Sequence, residues 1–313
     1  MSVSLYFHIP FCKVKCSYCD FYSVVKREEQ IPLFVETLIR EFKENPPPTE
    51  YSTVETVYFG GGTPSLLSGA QIGDILNSVN NVIPIRNNAE ITLEANPGEV
   101  DLARLQSYRT AGVNRISIGL QSFDDRNLKL LGRWHRSKDN ARSVDLAREA
   151  GFENISLDLI FHLPDQSLGN FSKDLELMLA LTPQHISIYS LTVEQGTPLF
   201  QYVRDGQLSM TSDDLDAAMY RHLCRKMAEE NYMHYEVSNY SQPGFRNRHN
   251  QNYWNGAHYY SYGPSAHSFN GTKRWWNLRD LSRYFERMRS GESPVDELEY
   301  LDLASQKQEF LLT

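Results

Sequence analysis

The sequence predicts an α/β fold, a partial (β/α)6 barrel of the TIM type with a smaller C-terminal α+β subdomain. Two observations predict it. Short apolar runs rich in β-forming residues alternate with amphipathic stretches of helix length, and the alternation stops near residue 200. Strands that alternate with helices form parallel sheets through right-handed crossovers. A complete eight-unit barrel needs about 250 residues, so six units predict an incomplete barrel.

The predicted elements follow one another along the first 190 residues. The six predicted strands cover residues 5–9, 56–59, 91–95, 115–119, 155–160 and 185–190. The helices between them are predicted at about 30–44, 69–82, 101–111, 137–150 and 168–181. Asp101 can cap the helix that ends at Gly112, and Gly151 can close the helix before the fifth strand.

A break in the pattern over residues 196–212 predicts a domain boundary. Residues 1–210 are therefore expected to form the barrel domain. Residues 211–313 form a separate C-terminal region that begins with a helix at about 211–230.

Composition excludes several classes of protein. The net charge of −8 argues against a general nucleic-acid binder, and 41% hydrophobic with 22% charged residues argues against intrinsic disorder. The sequence lacks a run of about 18 apolar residues, so no membrane-spanning helix is expected. The N-terminus also lacks the pattern of a signal peptide. The expected location is the cytoplasm, where thiols stay reduced.

One segment departs from the acidic average. Residues 241–289 hold eight Lys and Arg against two acidic residues, together with three of the 4 Trp. Basic groups interleaved with flat aromatic rings suit a planar anionic ligand, because rings stack and cations pair with carboxylates. The alternative is a packed aromatic region with a solvated basic face.

Three cysteines follow the first predicted strand with the spacing C-x3-C-x2-C: Cys12, Cys16 and Cys19. Three thiolates can hold three corners of a cubane 4Fe–4S cluster. The fourth iron is then open to a small molecule, as a catalytic zinc keeps an open position. Cys224 is far along the chain, and we expect it to be a small buried hydrophobic residue. The alternatives are a zinc site with His8 as fourth ligand, or reduced thiols without a metal.

These cysteines, followed by the turn Gly60-Gly61-Gly62-Thr63-Pro64 after the second strand, resemble the radical S-adenosylmethionine (SAM) superfamily. The segments ITLEANPG, GVNRISIGLQSFDD, YEVSNY and HNQNYW narrow the resemblance to the HemW family. That family is related to HemN, the oxygen-independent coproporphyrinogen III oxidase. The resemblance covers nearly the whole chain, from Leu5 to about Leu311.

The resemblance implies a 4Fe–4S cluster on the three cysteines, with SAM chelating the fourth iron. The glycine turn lets the backbone approach the methionyl amine, because glycine has no Cβ. The implied SAM contacts are Tyr6, Gly61, Gly62, Thr63, Glu94, Gln121, Arg133, Asp158 and Thr192. Taken singly, Gln121 and Glu94 could instead cap strand ends, and Arg133 with Asp158 could form a structural ion pair.

The family pattern HNxxYW, which is associated with heme binding, is met at residues 249–254. The heme contacts that it implies are His249, Asn250, Tyr253 and Trp254. Imidazole is a ligand of heme iron, and aromatic rings can stack on the macrocycle. Arg246 and Arg248 could pair with the propionates. The alternative for His249 is a hydrogen-bonded core residue.

The resemblance therefore implies a heme chaperone. Such a protein binds heme noncovalently and delivers it to heme proteins such as respiratory enzymes, as a monomer or a cluster-dependent homodimer. The alternative is a coproporphyrinogen III oxidase that cleaves SAM and oxidatively decarboxylates its substrate to protoporphyrinogen IX. Phe21 stands where the oxidase carries a further cysteine, which favours the chaperone. No catalytic residue is assigned, and no nucleic acid or membrane anchor is expected.

Three residues stand where the family has glycine: His162, Asp165 and Ser265. Bulk at position 162 is expected to narrow the SAM pocket. The family pattern also continues beyond the final residues QEFLLT, which predicts an incomplete C-terminal region.

Overall fold

The structure is a computed structural model that describes residues 1–312. Within this range the chain forms fourteen strands and eleven α-helices. The strands are β1 (Ser2–Ile9), β2 (Phe11–Cys12), β3 (Val24–Val25), β4 (Thr53–Gly61), β5 (Ile85–Ala95), β6 (Arg115–Gln121), β7 (Asn154–Phe161), β8 (His185–Ser190), β9 (Met233–Glu236), β10 (Asn239–Ser241), β11 (Tyr259–Tyr262), β12 (His267–Phe269), β13 (Lys273–Asn277) and β14 (Val295–Tyr300). The helices are α1 (Ile31–Glu44), α2 (Gly69–Val82), α3 (Leu102–Ala111), α4 (Asp125–Leu130), α5 (Ser137–Glu149), α6 (Leu168–Ala180), α7 (Pro198–Arg204), α8 (Asp213–Glu229), α9 (Arg248–Trp254), α10 (Leu281–Ser290) and α11 (Leu303–Leu312).

Six parallel strands occupy the centre of one twelve-stranded sheet. They lie side by side in the order β1-β4-β5-β6-β7-β8, and helices connect each strand to the next. This arrangement confirms the predicted series of six β/α units. Because the strands are parallel, their carboxyl ends meet at one edge, where ligands bind in such folds.

Local signals account for the agreement between predicted and observed elements. The Asp101 side chain caps α3 by accepting a hydrogen bond from the Arg104 N–H at 2.8 Å. Gly112 and Gly151, which follow α3 and α5, have positive φ values of 109° and 88°. Glycine adopts this left-handed conformation without steric cost, which is why it ends helices.

Strand β1 shows how the barrel interior becomes polar. Its alternate residues Leu5, Phe7 and Ile9 are fully buried in the hydrophobic core, and the Phe7 ring packs on Phe42 of α1. The residues between them point the other way, because side chains alternate along a strand. These are Ser4, Tyr6 and His8, so the inner surface carries hydroxyl and imidazole groups.

The C-terminal region extends this sheet at both edges. Strands β10 and β9 continue it beyond β8, while β11 pairs in parallel with β1 and leads to β12, β13 and β14. The predicted helix at about 211–230 is α8. The boundary at residue 210 stays a prediction, because the later strands share one sheet with the barrel.

Glu41 ties the first helix to this region. Its buried carboxylate accepts hydrogen bonds from the Tyr284 hydroxyl at 2.6 Å, the Asn277 amide at 2.6 Å and the Gly263 N–H at 2.8 Å.

Across residues 1–312, every helix is too short or too polar to cross a lipid bilayer.

Candidate functional site

A first cavity of about 690 Å³ opens at the carboxyl ends of the parallel strands, and all three clustered cysteines line it. Their loop is held in place by its own backbone. The Ser17 N–H donates to the Leu131 carbonyl at 3.0 Å, and the Leu199 N–H donates to the Ser17 carbonyl at 2.8 Å. The loop that carries the thiols is therefore anchored to the segments after β6 and β8.

The thiols are unpaired and half-buried. The Arg133 guanidinium donates to the Cys16 sulfur at 3.5 Å, and the Thr63 hydroxyl donates to the Cys12 sulfur at 3.6 Å. Burial raises the pKa of Cys12, and it raises the pKa of Cys19 to about 11. The Cys12 and Cys19 thiols are thus neutral in the protein alone, and metal binding would release their protons.

The arrangement fits a cluster in which each thiolate takes a different iron. Within residues 1–312, no three His, Cys, Asp or Glu side chains converge on a single metal ion. His8, the proposed fourth ligand of a zinc site, borders a different cavity. Both of its ring nitrogens lie within hydrogen-bonding distance of other groups, the Tyr22 carbonyl at 2.8 Å and the Tyr6 hydroxyl at 3.3 Å. The structure does not bring the zinc ligand set together.

Eight of the nine predicted SAM contacts line the first cavity. They are Gly61, Gly62, Thr63, Glu94, Gln121, Arg133, Asp158 and Thr192. They converge because most stand at or just after the carboxyl end of a parallel strand. Tyr6, on the inner face of β1, borders a second cavity instead.

Two buried carboxylates of the first cavity, those of Glu94 and Asp158, are held by neutral donors. Glu94 accepts hydrogen bonds from the Tyr58 hydroxyl at 2.8 Å and the Gly61 N–H at 3.2 Å. Burial nevertheless raises the pKa of Glu94 to about 7. Asp158 accepts from the Ser117 hydroxyl at 3.1 Å, and burial raises its pKa to about 6.

Arg133 does not form the structural ion pair with Asp158 that was the alternative interpretation. Its guanidinium donates to the Asn96 side-chain oxygen at 2.5 Å and to the Gly119 carbonyl at 2.7 Å. Asn96 in turn donates to the Thr63 hydroxyl at 3.1 Å. The cationic group therefore stays at the cavity wall, beside the cysteine loop.

A second cavity of about 570 Å³ adjoins the first and shares part of its wall. The shared residues are Asp20, Phe21, Gly61, Glu94, Ser117, Asp158 and Tyr189. Tyrosine is the most frequent residue type in its lining, and helix α9 contributes three residues to it. The tyrosines of the lining are Tyr6, Tyr22, Tyr58, Tyr189, Tyr253 and Tyr259.

Three of the four predicted heme contacts border this cavity: His249, Asn250 and Tyr253. His249 is 2% exposed, and its two ring nitrogens lie 2.8 Å from the Thr56 hydroxyl and 3.1 Å from the Tyr253 hydroxyl. Burial lowers the pKa of His249 to about 3, so the imidazole is neutral. Trp254 is exposed and is not among the residues that line either cavity.

Arg279, and not the expected Arg246 or Arg248, is the arginine that lines the second cavity. The Arg248 guanidinium donates to the Asn88 carbonyl at 2.6 Å, and Arg246 lies over the Tyr235 ring, so neither lines the second cavity. Arg279 does line it and donates to the backbone carbonyl and carboxylate of Asp20. Sequence spacing could not select it from the eight basic residues of its segment.

The three residues at which the resemblance led us to expect glycine adopt a glycine-like backbone. His162, Asp165 and Ser265 have φ values of 61°, 58° and 64°, and Gln121 at the first cavity has 66°. Non-glycine residues rarely adopt this conformation, and such strain clusters at functional sites. The ring of His162 lies near Ser190 and the Thr211 carbonyl. It is absent from the lining of the first cavity, so the expected narrowing by this side chain is not observed.

Several residues that line the cavities were not predicted. Tyr58 and Ser117 lie on the inner faces of β4 and β6, four residues before the predicted contacts Gly62 and Gln121 respectively. Strand alternation is the signal that could have found them. Tyr189, one residue before the end of β8, could have been found from the strand-end rule.

A parallel β/α sheet with a three-thiol loop at its carboxyl edge defines the class of the protein. Residues 6–178 match the model of the radical SAM superfamily, and the chain belongs to that superfamily. The structure superimposes on that of coproporphyrinogen III oxidase (HemN) from Escherichia coli with a TM-score of 0.86 and 22% identity, over 99% of this chain and 74% of that chain. This likeness establishes the shared fold.

Curated relatives specify the family. The chain is 38% identical over 310 residues to the heme chaperone HemW of Lactococcus lactis subsp. lactis (strain IL1403), which covers 96% of this chain and 81% of the relative. It is 41% identical over 268 residues to the heme chaperone HemW of Escherichia coli (strain K12), covering 85% and 69%. The chain belongs to the HemW family.

Proposed function

We propose that the protein is a heme chaperone, which binds heme noncovalently and delivers it to heme proteins, and that it carries a SAM-binding 4Fe–4S cluster. The observation that carries the proposal is the second cavity. It is lined by tyrosines and by His249, and it shares a wall with the cavity of the three cysteines. The family relatives are named for heme handling, which agrees with this chemistry.

The side chains of the second cavity suit a flat, anionic macrocycle. Tyr189 and Tyr253 are 45% and 40% exposed and both line the cavity, so their faces are available for stacking. Arg279 lies on the same cavity wall and can pair with a carboxylate. His249 can ligate iron through Nε2 once the Tyr253 hydroxyl moves away from it.

The first cavity suits SAM bound to a cluster. Cys12, Cys16 and Cys19 would each hold one iron, and the cluster would supply one-electron reduction to SAM at its fourth iron. Glu94 and Asp158 line this cavity, and their carboxylates would pair with a cationic ligand. The Arg133 guanidinium donates to the Cys16 sulfur, so a positive charge lies beside a sulfur that would carry negative charge in a cluster.

A heme titration of the full chain tests the proposal. Soret absorbance should report saturable binding to the wild type and a weaker, spectrally altered complex with His249→Ala. Trp254→Ala is a matched control from the same helix, because Trp254 does not line the cavity. Weak binding that is the same in the wild type and in His249→Ala would contradict the proposed ligation.

An oxygen-independent coproporphyrinogen III oxidase is the second candidate. The convergence of eight SAM contacts on the first cavity supports it, because a heme carrier alone has no need of them. Phe21, which stands in place of the oxidase's further cysteine, borders both cavities and is 69% exposed. An anaerobic assay with reductant, SAM and coproporphyrinogen III separates the two: absence of protoporphyrinogen with an intact cluster rejects the oxidase.

The recipients are proposed to be heme proteins, respiratory enzymes among them. Three free thiols and an iron–sulfur cluster require a reducing compartment, which supports the cytoplasm as the location. Size-exclusion chromatography before and after anaerobic cluster reconstitution tests the proposed cluster-dependent homodimer.

A further inference from the structure

Three histidines line the second cavity, and they differ in whether a ring nitrogen is free. They are His8, His249 and His267. His8 and His249 are buried, and each has both ring nitrogens within hydrogen-bonding distance of other groups, as described above. His267 on β12 is exposed at the cavity wall, and within residues 1–312 only its Nδ1 has a hydrogen-bond partner.

The contact at Nδ1 fixes which nitrogen of His267 carries the proton. Nδ1 lies 2.9 Å from the backbone carbonyl oxygen of Ser265. A carbonyl oxygen only accepts hydrogen bonds, so Nδ1 is the donor and Nε2 keeps its lone pair in the neutral ring. Enclosure by the cavity wall lowers the pKa of His267, the Ser265 carbonyl opposes this change, and the charges of Arg274 and Arg279 add to it. The second cavity therefore holds a neutral imidazole with one free, basic nitrogen.

The ring of His267 is also held in a fixed orientation. It stacks on the Trp276 indole, with ring centroids 5.6 Å apart and planes at 24°. His267 and Trp276 are register partners on β12 and β13, so the pairing of the two strands maintains the stack. The Ser265 N–H donates to the Leu278 carbonyl at 2.9 Å, which anchors the residue that supplies the accepting carbonyl. The free nitrogen is therefore preorganised.

This arrangement is typical of a histidine that binds a metal. Metal-bound imidazoles almost always donate their other ring N–H to a carbonyl or a carboxylate, which fixes the tautomer and raises the basicity of the ligating nitrogen. Within residues 1–312, no three His, Cys, Asp or Glu side chains converge on one ion. A single free imidazole suits a metal that arrives with its other ligands, as iron does in a porphyrin.

We propose that Nε2 of His267 is an axial ligand of the heme iron in the second cavity. The inference rests on the proposed function, which places heme in that cavity. It differs from ligation by His249, whose Nε2 lies 3.1 Å from the Tyr253 hydroxyl and must first be released from it. His267 meets the iron without such a rearrangement, and Arg279 of the same cavity wall can pair with a propionate.

Heme titrations of the full chain, followed by Soret absorbance and electron paramagnetic resonance (EPR), test the ligation. His267→Ala should bind heme at least about tenfold more weakly than the wild type, with an altered spin state of the iron. His267→Met keeps the bulk and offers a thioether, so the spectrum of the ferrous complex should change to that of a sulfur ligand. A side chain that only packs against heme would cause neither spectral change.

His234→Ala is the matched control, because His234 is an exposed histidine of the edge strand β9 that lines neither cavity. It should keep the affinity and the spectra of the wild type. A wild-type spectrum in His267→Ala, whatever its affinity, overturns the ligation.

Chemical modification of the wild type gives a second test that needs no variant. Diethyl pyrocarbonate acylates free, neutral imidazole nitrogens. It should modify His267 in the heme-free protein and much less in the heme complex, whereas His234 should react equally in both. Mass spectrometry of the peptides measures the difference, and equal modification of His267 with and without heme overturns the inference.

Failure of the proposed function gives a different result from failure of this inference. If the wild type binds no heme, the chaperone proposal and the ligation by His267 fall together. If the wild type binds heme and its spectrum persists in His267→Ala, only the inference falls, and His249→Ala then tests the remaining ligand.

Discussion

Glu94 is expected to make SAM binding depend on pH near neutrality. Burial raises the pKa of this carboxyl to about 7, the Tyr58 hydrogen bond opposes the rise, and the charge of Asp158 adds to it. A cationic ligand pairs with the ionised form only. The affinity for SAM is therefore highest above pH 7, and it falls by about tenfold for each pH unit below pH 7.

Glu94→Gln removes this titration and keeps the shape of the side chain. Loss of a charge-assisted contact should weaken SAM binding at pH 8 by about ten- to a hundredfold. The affinity of the variant should then change little between pH 8 and pH 6.5, above the pKa of about 6 of Asp158. Equilibrium dialysis of SAM against the anaerobically reconstituted protein measures both effects. Glu297→Gln on the exposed strand β14 is the control, and a wild-type affinity that is flat over this range would refute the reasoning.

Three further outcomes are expected. Burial raises the pKa of Glu41 from 4.5 to about 7, so the wild type should lose up to about 3 kcal/mol of stability as the pH rises from 4.5 to above 7. Urea unfolding measures this dependence, and Glu41→Gln should flatten it. Ser265→Gly should raise the free energy of unfolding by about 0.5–1 kcal/mol, because glycine adopts the left-handed backbone of this position without strain. Gly263→Ala should lower the free energy of unfolding by about 2 kcal/mol, because the new Cβ would lie 2.6 Å from the His8 carbonyl oxygen. A shift in the same direction for both variants would contradict this account. Cys16→Ala should prevent retention of about four irons per chain in iron and sulfide analysis, an effect not expected of Cys224→Ala, and equal losses in the two variants would count against the cluster loop.

Much of the barrel can be predicted from local chemistry. The predicted strand at 185–190 coincides with β8, and the predicted helix at 69–82 coincides with α2. Capping residues such as Asp101 act on the next turn of their own helix, so their effect is visible in a short stretch of sequence. The short helices α4 and α7 were not predicted, because each is too short to show a helical period.

The candidate site was only partly predictable. The cysteine spacing and the strand-end positions identified nearly all of the first cavity, because one structural rule places them together. The second cavity depends on contacts between distant segments. His249 meets Thr56 across 193 residues, and Arg279 rather than Arg248 lies at the cavity wall. No local spacing records such contacts.

Alternating strands and helices, the three-thiol spacing and the family pattern follow from the order of residues alone, since each depends on neighbours within a few turns. The joining of late strands to both edges of one sheet, and the contact of α9 with inner-face side chains such as Thr56, depend on the folded chain. Strand pairing and burial act between residues far apart in sequence. For this reason the contact between Thr56 and His249 becomes apparent only in the folded chain.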